Sequence, residues 1–270
     1  IGAATNKIRI GSGGIMLPNH SPLVIAEQFG TLAALFPDRV DLGLGRAPGT
    51  DMATARALRR NMQASVEDYP SDIRALQSYL GSPSDDQTII AVPGSDSHVP
   101  LWLLGSSLYS AQLAAQFGLP YSFASHFAPD ALFDAFNIYR SQFKPSAQLN
   151  QPYTMAGVMA VIADTDEEAR YLYTSLQQQF ANLRRGANKP FARPVDDINT
   201  VCSPAELSMI AHTLQYAIVG SPETAHAQLA RFIENTLADE VIFSFPIHDQ
   251  KARLHSMQLL ASSQNMRKSL

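Results

Sequence analysis

The chain has 270 residues, of which 46% are hydrophobic and 16% are charged, which is enough apolar material for a sizeable core. Its formal net charge of −4, without any run of lysine or arginine, argues against nucleic acid or an anionic membrane as a partner. Its apolar stretches are too short to cross a bilayer. The only cysteine, Cys202, excludes an intramolecular disulfide and a cysteine-cluster metal site, so we expect a cytoplasmic protein.

Strand-like apolar runs alternate with helix-like stretches along the chain, which favours βαβ units and a parallel sheet. We predict six strands, at residues 8–15, 38–45, 101–104, 121–124, 154–163 and 239–245, and a further short one at 88–92. Helices are predicted at residues 22–35, 53–79 with a break near Pro70, 130–143, 166–183 and 249–261, after Gly105, and from Pro222. Residues 184–205 are predicted to form a long loop, and residues 217–220 a short connection.

Six predicted strands with long connections fit a TIM (β/α)8-type barrel that lacks two of its eight strands. The first residues are typical of a helix end that runs into a buried strand, so we expect the barrel to be incomplete at the N-terminus. An open doubly wound sheet shows the same alternation, but no predicted strand is followed by a GxGxxG dinucleotide motif. We therefore predict a single α/β barrel domain over residues 1–270.

Two adjacent glycines, Gly13 and Gly14, fall at the end of the first predicted strand, in the segment GSGGIMLPNHSP. Glycine has no Cβ atom, so this position permits unusual backbone dihedrals or the close approach of a flat ligand. A tight turn between a strand and a helix is the alternative explanation. The pair is therefore a candidate ligand contact, with a simple turn left open.

Arg46 directly follows the second predicted strand, after Gly43 and Gly45 in the segment DRVDLGLGRAPGTD. In barrel enzymes the carboxyl ends of the strands carry the chemistry, and a guanidinium group there suits a phosphate. An ion pair with Asp41 or Asp51 is an equally good explanation on local grounds. The sequence leaves a phosphate ligand and a structural ion pair open.

Three serines, Ser106, Ser107 and Ser110, surround a predicted helix start after the buried strand that ends near Gly105. The unpaired N–H groups of a helix N-terminus and small hydroxyl groups together form an anion site. The alternative is an N-cap serine with nothing bound. That alternative explains one of the serines but explains the presence of all three less well. We therefore predict an anion-binding turn at residues 106–110.

His126 follows the strand predicted at residues 121–124 and is a candidate pocket residue, although a lone histidine is more often packed or solvated. The remaining histidines lack the spacing of metal ligands, so no metal site is predicted. Paired carboxylates fall in loops or first helical turns, where solvent or the helix dipole favours them. No serine lies in a GxSxG motif, so the sequence does not predict a hydrolase triad.

Three segments of the chain resemble the luciferase-like flavin-dependent monooxygenase superfamily. They are RIGSGGIMLPNHSPLVIAEQFGTL at residues 9–32, PDRVDLGLGRAPGTD at 37–51 and LLGSSLYSAQLAAQFGLPYSFASHFAP at 103–129. Their order and spacing match a bacterial subgroup of flavin-dependent oxidoreductases. The resemblance runs from residue 1 to the last predicted helix and is densest at residues 5–51 and 100–130.

The resemblance implies a TIM barrel that binds FMN. The FMN would be bound in its reduced form, which a separate flavin reductase supplies, and the protein would activate O2 at the flavin. The resemblance also implies a cis peptide bond between Gly13 and Gly14, beneath the flavin ring, and a phosphate-binding role for Arg46. The second phosphate-binding segment of the family corresponds to Ser106, Ser107 and Ser110. Ser106 stands where luciferase itself has a carboxylate, so we expect different hydrogen bonds in this segment.

One departure from the family concerns the catalytic histidine. The first two βα units of the family carry an EHH-type motif, which this chain does not contain, and its first strand corresponds to the third strand of the family. The family histidine is therefore expected upstream of residue 1, and the catalytic residues of this chain stay unassigned.

By resemblance, we expect an FMN-dependent monooxygenase or oxidoreductase that acts with O2 on a small organic substrate and forms a homodimer. The alternative is a non-catalytic flavin-binding barrel, because the oxygen-activating motif of the family is missing from this chain. A deazaflavin-dependent reductase on the same scaffold is less favoured, because the sequence shows no clear basic segment for the acidic tail of that cofactor.

Overall fold

The computed structural model describes residues 1–46 and 68–262. The contacts of the chain divide it into two compact units. The first unit comprises the described residues of Ile1–Ser122 and Asn137–Tyr153, and the second comprises Phe123–Phe136 and the described residues from Thr154 onward. None of the helices in these ranges is long and apolar enough to span a membrane.

Strands and helices alternate along the first unit. They are β1 (Ile10–Met16), α1 (Pro22–Leu35), β2 (Val40–Gly45), α2 (Tyr69–Leu80), β3 (Leu101–Gly105) and α3 (Leu108–Phe117). The chain passes from the first unit to the second within β4 (Tyr121–Phe123), and it returns within α4 (Leu132–Gln142). Pro22 opens α1 at its first turn, where the missing N–H group of proline costs no hydrogen bond.

The strand β2 lies between β1 and β3, and both pairings are parallel. Leu42 and Leu44 of β2 are fully buried, whereas β1, at the edge of the sheet, is half exposed. We predicted a buried first strand, and that prediction was wrong because β1 pairs with a described strand along one edge only and none of its residues is fully buried. The core of the unit includes Leu17, Ile25, Leu42, Leu44, Ile73, Leu76, Leu101, Leu103, Ala114, Leu119 and Tyr121.

The second unit is built around β5, a nine-residue strand whose side chains are almost all buried. Its elements are β5 (Thr154–Ile162), α5 (Asp166–Arg184), α6 (Pro204–Thr213), β6 (Ile218–Gly220), α7 (Pro222–Thr236), β7 (Glu240–Ser244) and α8 (Gln250–Ser262). β5 pairs in parallel with β6 at its carboxyl end and with β7 along its first half. Helices α5 and α8 contact β5, and burial of both of its faces explains its continuous apolar sequence.

Side-chain caps fix the starts of the helices in the second unit. Thr165 accepts a hydrogen bond from the backbone N–H of Glu168 at the start of α5, and Ser221 caps α7. Ser203 and Glu206 form a reciprocal capping box at the start of α6. Each cap satisfies a backbone N–H that the first helical turn leaves without an intrahelical partner.

Three predicted elements differ from the structure. Residues 88–92 form no strand, because Ile89 and Val92 are 54% and 71% exposed and no described strand pairs with them. The predicted connection at 217–220 contains β6, and the predicted loop at 184–205 ends inside α6. The predicted helix at 53–79 is observed from Tyr69, and its residues 53–67 lie outside the described residues.

Candidate functional site

The two adjacent glycines of β1 interrupt its pairing with β2. Gly13 is aligned with Gly43 and Ile15 with Leu44, so Gly14 is an extra residue without a partner in the register. The peptide bond between Gly13 and Gly14 is cis, which confirms the bond that the resemblance implied. Such irregularities in a strand often lie beside functional sites.

Gly13 and Gly14 have different surroundings, although both are exposed. A Cβ atom on Gly14 would lie 2.7 Å from the carbonyl oxygen of Gly43, which is too close. A Cβ atom on Gly13 would meet no heavy atom of the described residues within 4 Å. The neighbouring backbone therefore requires glycine at position 14, whereas open space at position 13 allows a flat ligand to approach the chain.

Arg46 lies at the carboxyl end of β2, next to the end of β3, since Gly45 is aligned with Leu104. The carbon of its guanidinium group is 4.5 Å from the ring centroid of Tyr109, in the first turn of α3. Asp41 instead accepts a hydrogen bond from Arg9 Nε at 2.7 Å. The ion pair between Arg46 and Asp41 that the sequence left open is therefore wrong, and Asp51 lies outside the described residues.

The serine segment lies between β3 and α3, beside Arg46. Ser107 is the N-cap residue of α3, but its side chain makes no hydrogen bond to the helix. Ser106 and Ser107 are both exposed. Arg46 therefore stands beside two exposed hydroxyl groups and a helix N-terminus that no side chain caps, which is a set of donors suited to an anion.

Ser110 faces inward and holds the turn that precedes α3. Its hydroxyl group donates to the carbonyl oxygen of Ser107 at 2.6 Å and lies 2.9 Å from the phenol oxygen of Tyr121. A Cβ atom on Gly105 would overlap this hydroxyl group, so the glycine makes room for the contact. Ser110 thus shapes the site in this structure, and its predicted role as a direct cofactor ligand stays a prediction.

Three tyrosines at this site were not predicted from the sequence. Tyr109 stacks on Arg46, and Tyr121 supports Ser110 from β4. Burial raises the pKa of Tyr69, at the start of α2, well above its usual range, Tyr109 raises it further, and Arg46 opposes the rise. Tyr109 could have been suspected from its position between Ser107 and Ser110, whereas Tyr69 and Tyr121 approach the site only through tertiary packing.

His126 belongs to the second unit, where it follows β4 and is half buried. Its Nδ1 atom lies 3.0 Å from the carbonyl oxygen of Gly157, in β5. Burial lowers the pKa of His126, and the hydrogen bond to Gly157 only partly opposes this effect. The side chain is therefore a neutral imidazole at neutral pH.

The sequence of the chain is similar to that of known proteins. The family model of luciferase-like monooxygenases matches residues 1–240. The chain belongs to the luciferase-like monooxygenase family. A luciferase-like monooxygenase of Escherichia coli (strain K12) is 48% identical over 259 residues, which are 96% of this chain and 77% of that protein. The uncharacterized protein YvbT of Bacillus subtilis (strain 168) is also 48% identical, over 263 residues, which are 97% of this chain and 78% of that protein.

Solved structures of luciferase-like monooxygenases share this fold. Apo-MsnO8 matches with a TM-score of 0.83 and 32% identity, over 97% of this chain and 79% of its own. The predicted fold class, α/β of the TIM (β/α)8 barrel type and incomplete, is confirmed, with seven strands among the described residues where six were predicted.

Two more distant structures match in fold alone. The oxygenating constituent of 3,6-diketocamphane monooxygenase from Pseudomonas putida, in complex with FMN, has a TM-score of 0.67 and 16% identity, over 100% of this chain and 82% of its own. An F420-dependent secondary alcohol dehydrogenase has a TM-score of 0.67 and 15% identity, over 96% of this chain and 80% of its own.

Proposed function

We propose that this member of the luciferase-like monooxygenase family is an FMN-dependent monooxygenase that uses reduced flavin and O2 on a small organic substrate. The observation that carries the proposal is the position of Arg46, stacked on Tyr109 beside the uncapped N-terminus of α3. These groups suit a phosphate monoester, which FMN carries and riboflavin lacks. The FMN complex of the diketocamphane monooxygenase, which shares the fold, supports this choice.

The residues present fit the phosphate of FMN. Tyr109 covers one face of the guanidinium group of Arg46, so the in-plane N–H groups stay available for two phosphate oxygens. The hydroxyl groups of Ser106 and Ser107 and the first N–H groups of α3 would complete the binding set. The phosphate would thus be held by a full positive charge together with neutral donors.

The backbone at Gly13 and Gly14 would contact the flat ring of the cofactor. Gly13 borders open space, so a ring can approach the main chain without meeting a side chain at that position. When bound, the flavin supplies the electrons and the O2 chemistry, and the chain supplies binding, orientation and exclusion of water. We propose that a separate reductase provides the reduced flavin, and that the protein acts in the cytoplasm as a homodimer.

A deazaflavin-dependent reductase is the second candidate, because an F420-dependent dehydrogenase shares the fold. The third candidate is a flavin-binding protein without oxygenase activity. The acidic tail of F420 calls for more than one cation, and the described part of the proposed phosphate site contains one, Arg46. We therefore favour FMN.

Cofactor titration tests the proposal. The purified protein would be titrated with FMN, riboflavin and F420, in oxidised and reduced forms, and binding followed by flavin fluorescence and absorbance. We expect FMN to bind more tightly than riboflavin and F420. Tighter binding of F420 would overturn the choice of cofactor in favour of the reductase.

Oxygen incorporation tests the reaction. The protein with reduced FMN would be mixed with 18O2 and a panel of small sulfides, ketones and phenols, and the products analysed by mass spectrometry. We expect 18O in a product of one substrate class. Tight FMN binding with hydrogen peroxide as the sole product across the panel would instead favour the non-catalytic flavin-binding protein.

A further inference from the structure

The carbonyl oxygen of Gly157 fixes the tautomer of His126. It lies 2.6 Å from Ser125 Oγ and 3.0 Å from His126 Nδ1. A carbonyl oxygen can only accept hydrogen bonds, so Nδ1 must carry the proton of the neutral ring. The lone pair of that ring is therefore on Nε2, which has no hydrogen-bond partner among the residues that the structure describes.

The structure also fixes where this imidazole lies. A Cβ atom at position 157 would lie 2.7 Å from both Cε1 and Nδ1 of His126, so only glycine leaves room for the ring. The neighbouring Phe127 ring covers it, with the ring centroids 4.1 Å apart. One hydrogen bond and two close contacts thus hold the ring in one orientation while Nε2 keeps its acceptor capacity.

Chemistry narrows the group that Nε2 would contact. A neutral imidazole nitrogen with a lone pair accepts a hydrogen bond and cannot donate one, so a fully ionised phosphate or carboxylate, which has no proton to donate, does not suit it. In barrels of this type, side chains just past the carboxyl end of a strand take part in the chemistry, and His126 is three residues past Phe123, the end of β4. The partner must carry an N–H or O–H group that can donate.

We propose that His126 is a ligand-binding residue whose Nε2 accepts a hydrogen bond from an N–H or O–H group of the organic substrate. The proposal rests on the proposed function for the identity of this substrate. If the donor gives up its proton during turnover, the donor–hydrogen bond breaks, the Nε2–H bond forms, and the imidazolium keeps its contact with Gly157. Gly157 is then a positioning residue, because it acts only through the ring.

Nuclear magnetic resonance tests the tautomer directly. Protein labelled with 15N-histidine would be examined by two-bond correlation spectra, with His126→Asn used to assign the resonance. We expect a protonated Nδ1 and an unprotonated Nε2 at neutral pH. A protonated Nε2 in the ligand-free protein would overturn the proposal, whether or not FMN binds.

Chemical modification identifies the source of the donor. Diethyl pyrocarbonate acylates an imidazole nitrogen that has a lone pair, and peptide mass spectrometry would follow its reaction at His126. Slower modification in the presence of oxidised or reduced FMN alone would overturn the assignment of the donor to the substrate. Modification that FMN does not slow would assign it to the substrate, and resistance of His126 in the free protein would overturn the proposal.

Two matched variants distinguish the roles of the two ring nitrogen atoms of His126. In His126→Asn the amide can still donate to Gly157 but no acceptor remains near Nε2, whereas His126→Gln places an acceptor near Nε2. If the donor is on the substrate, we expect kcat to fall roughly 100-fold in the Asn variant and much less in the Gln variant, with FMN affinity unchanged.

Equal behaviour of the wild type and His126→Asn, in both turnover and FMN affinity, would overturn the role of His126 and leave the proposed function intact. A wild-type protein that does not bind FMN would instead overturn the proposed function. Gly157→Ala should shift the ring and reproduce the loss seen with the Asn variant. If that variant does not fold, the comparison of His126→Asn with His126→Gln still tests the role of Nε2.

Discussion

The phenol oxygen of Tyr121 lies 2.9 Å from the hydroxyl oxygen of Ser110, and both groups also point to the carbonyl oxygen of Ser107. Tyr121 is fully buried, and burial raises its pKa well above the usual range, so its hydroxyl group stays protonated. A side chain from β4 therefore fixes the shape of the turn that precedes α3. The proposed phosphate site depends on this contact without including it.

Tyr121→Phe should weaken FMN binding roughly fivefold, because losing about 1 kcal/mol of hydrogen bonding lets the turn at Ser107 move. Riboflavin affinity should stay unchanged, and both affinities can be measured by fluorescence titration. Tyr139→Phe is the matched control, since its buried hydroxyl group donates to Leu119 at 2.9 Å in the same unit. That variant should lose similar stability without losing FMN affinity, and an equal loss of FMN affinity in both variants would contradict the role of Tyr121.

Arg46→Ala should weaken FMN binding roughly thirtyfold or more, because removing one partner of a buried charge-assisted contact costs ~2–5 kcal/mol. Riboflavin, which has no phosphate, should be affected far less. Arg9→Ala is the control, since Arg9 also lies over an aromatic ring, that of Trp102 at 6.0 Å. An equal loss of FMN and riboflavin in Arg46→Ala would show a structural arginine and remove it from the phosphate site.

Gly14→Ala should destabilise the fold by about 1–3 kcal/mol, because the added Cβ atom meets the carbonyl oxygen of Gly43 at 2.7 Å. Gly13→Ala should fold with nearly wild-type stability, since its Cβ atom enters open space. If that space receives the flavin ring, Gly13→Ala should nevertheless weaken both FMN and riboflavin. Thermal denaturation and flavin titration of the two variants measure these effects, and full flavin affinity in Gly13→Ala would place the ring elsewhere.

Asp239→Ala should lower the free energy of unfolding by about 2 kcal/mol, because Thr154 would lose its partner at the start of β5. The carboxylate of Asp239 accepts hydrogen bonds from the backbone N–H and the hydroxyl group of Thr154, at 2.7 and 2.8 Å. Thr154 is fully buried, so water replaces these bonds poorly. Asp239→Asn keeps an acceptor oxygen and should lose less in urea denaturation, and equal losses would show that charge alone matters.

Acid should remove the stabilising effect of Glu206. Hydrogen bonds from Arg185, and then from Ser203, lower the pKa of Glu206 from 4.5 to about 2. A folded-state pKa below the unfolded one means that this stability is fully present above about pH 4.5 and is lost as the pH falls towards about 2. Glu206→Gln should therefore be less stable than wild type at neutral pH, with a difference that shrinks in acid.

Urea denaturation at several pH values checks this dependence. Glu234→Gln, on an exposed face of α7, is the control and should give a small difference at every pH. A difference between Glu206→Gln and wild type that stays constant down to about pH 3 would contradict the assigned pKa.

Local sequence signals predicted the longer elements well. Residues 22–35 were predicted as a helix and form α1, because Pro22 and the apolar spacing mark both its start and its buried face. The strand β6 was missed because three residues give no periodicity to recognise. Residues 88–92 were wrongly predicted as a strand, because their apolar side chains suit a strand but no neighbour pairs with them.

In the candidate site, too, the sequence predicted some residues, whereas the contacts between distant residues became visible only in the structure. Arg46 and the serines were predicted because glycines and small hydroxyl residues at strand ends are visible in the sequence itself. The contact between Ser110 and Tyr121 joins residues eleven positions apart across a helix, so only packing reveals it. The acceptor on Nε2 of His126 likewise depends on a carbonyl group 31 residues away in the chain.

The burial of Cys202 gives the protein a useful property for spectroscopy. Cys202 is the only cysteine of the chain, is 3% exposed, and has a pKa that burial raises, so maleimide reagents should react with it slowly. A cysteine introduced at Leu108, which is 39% exposed in the first turn of α3, would then be the one fast-reacting thiol. A fluorophore attached there would report the arrival and departure of a phosphate-bearing ligand in real time, without any change to the native cysteine.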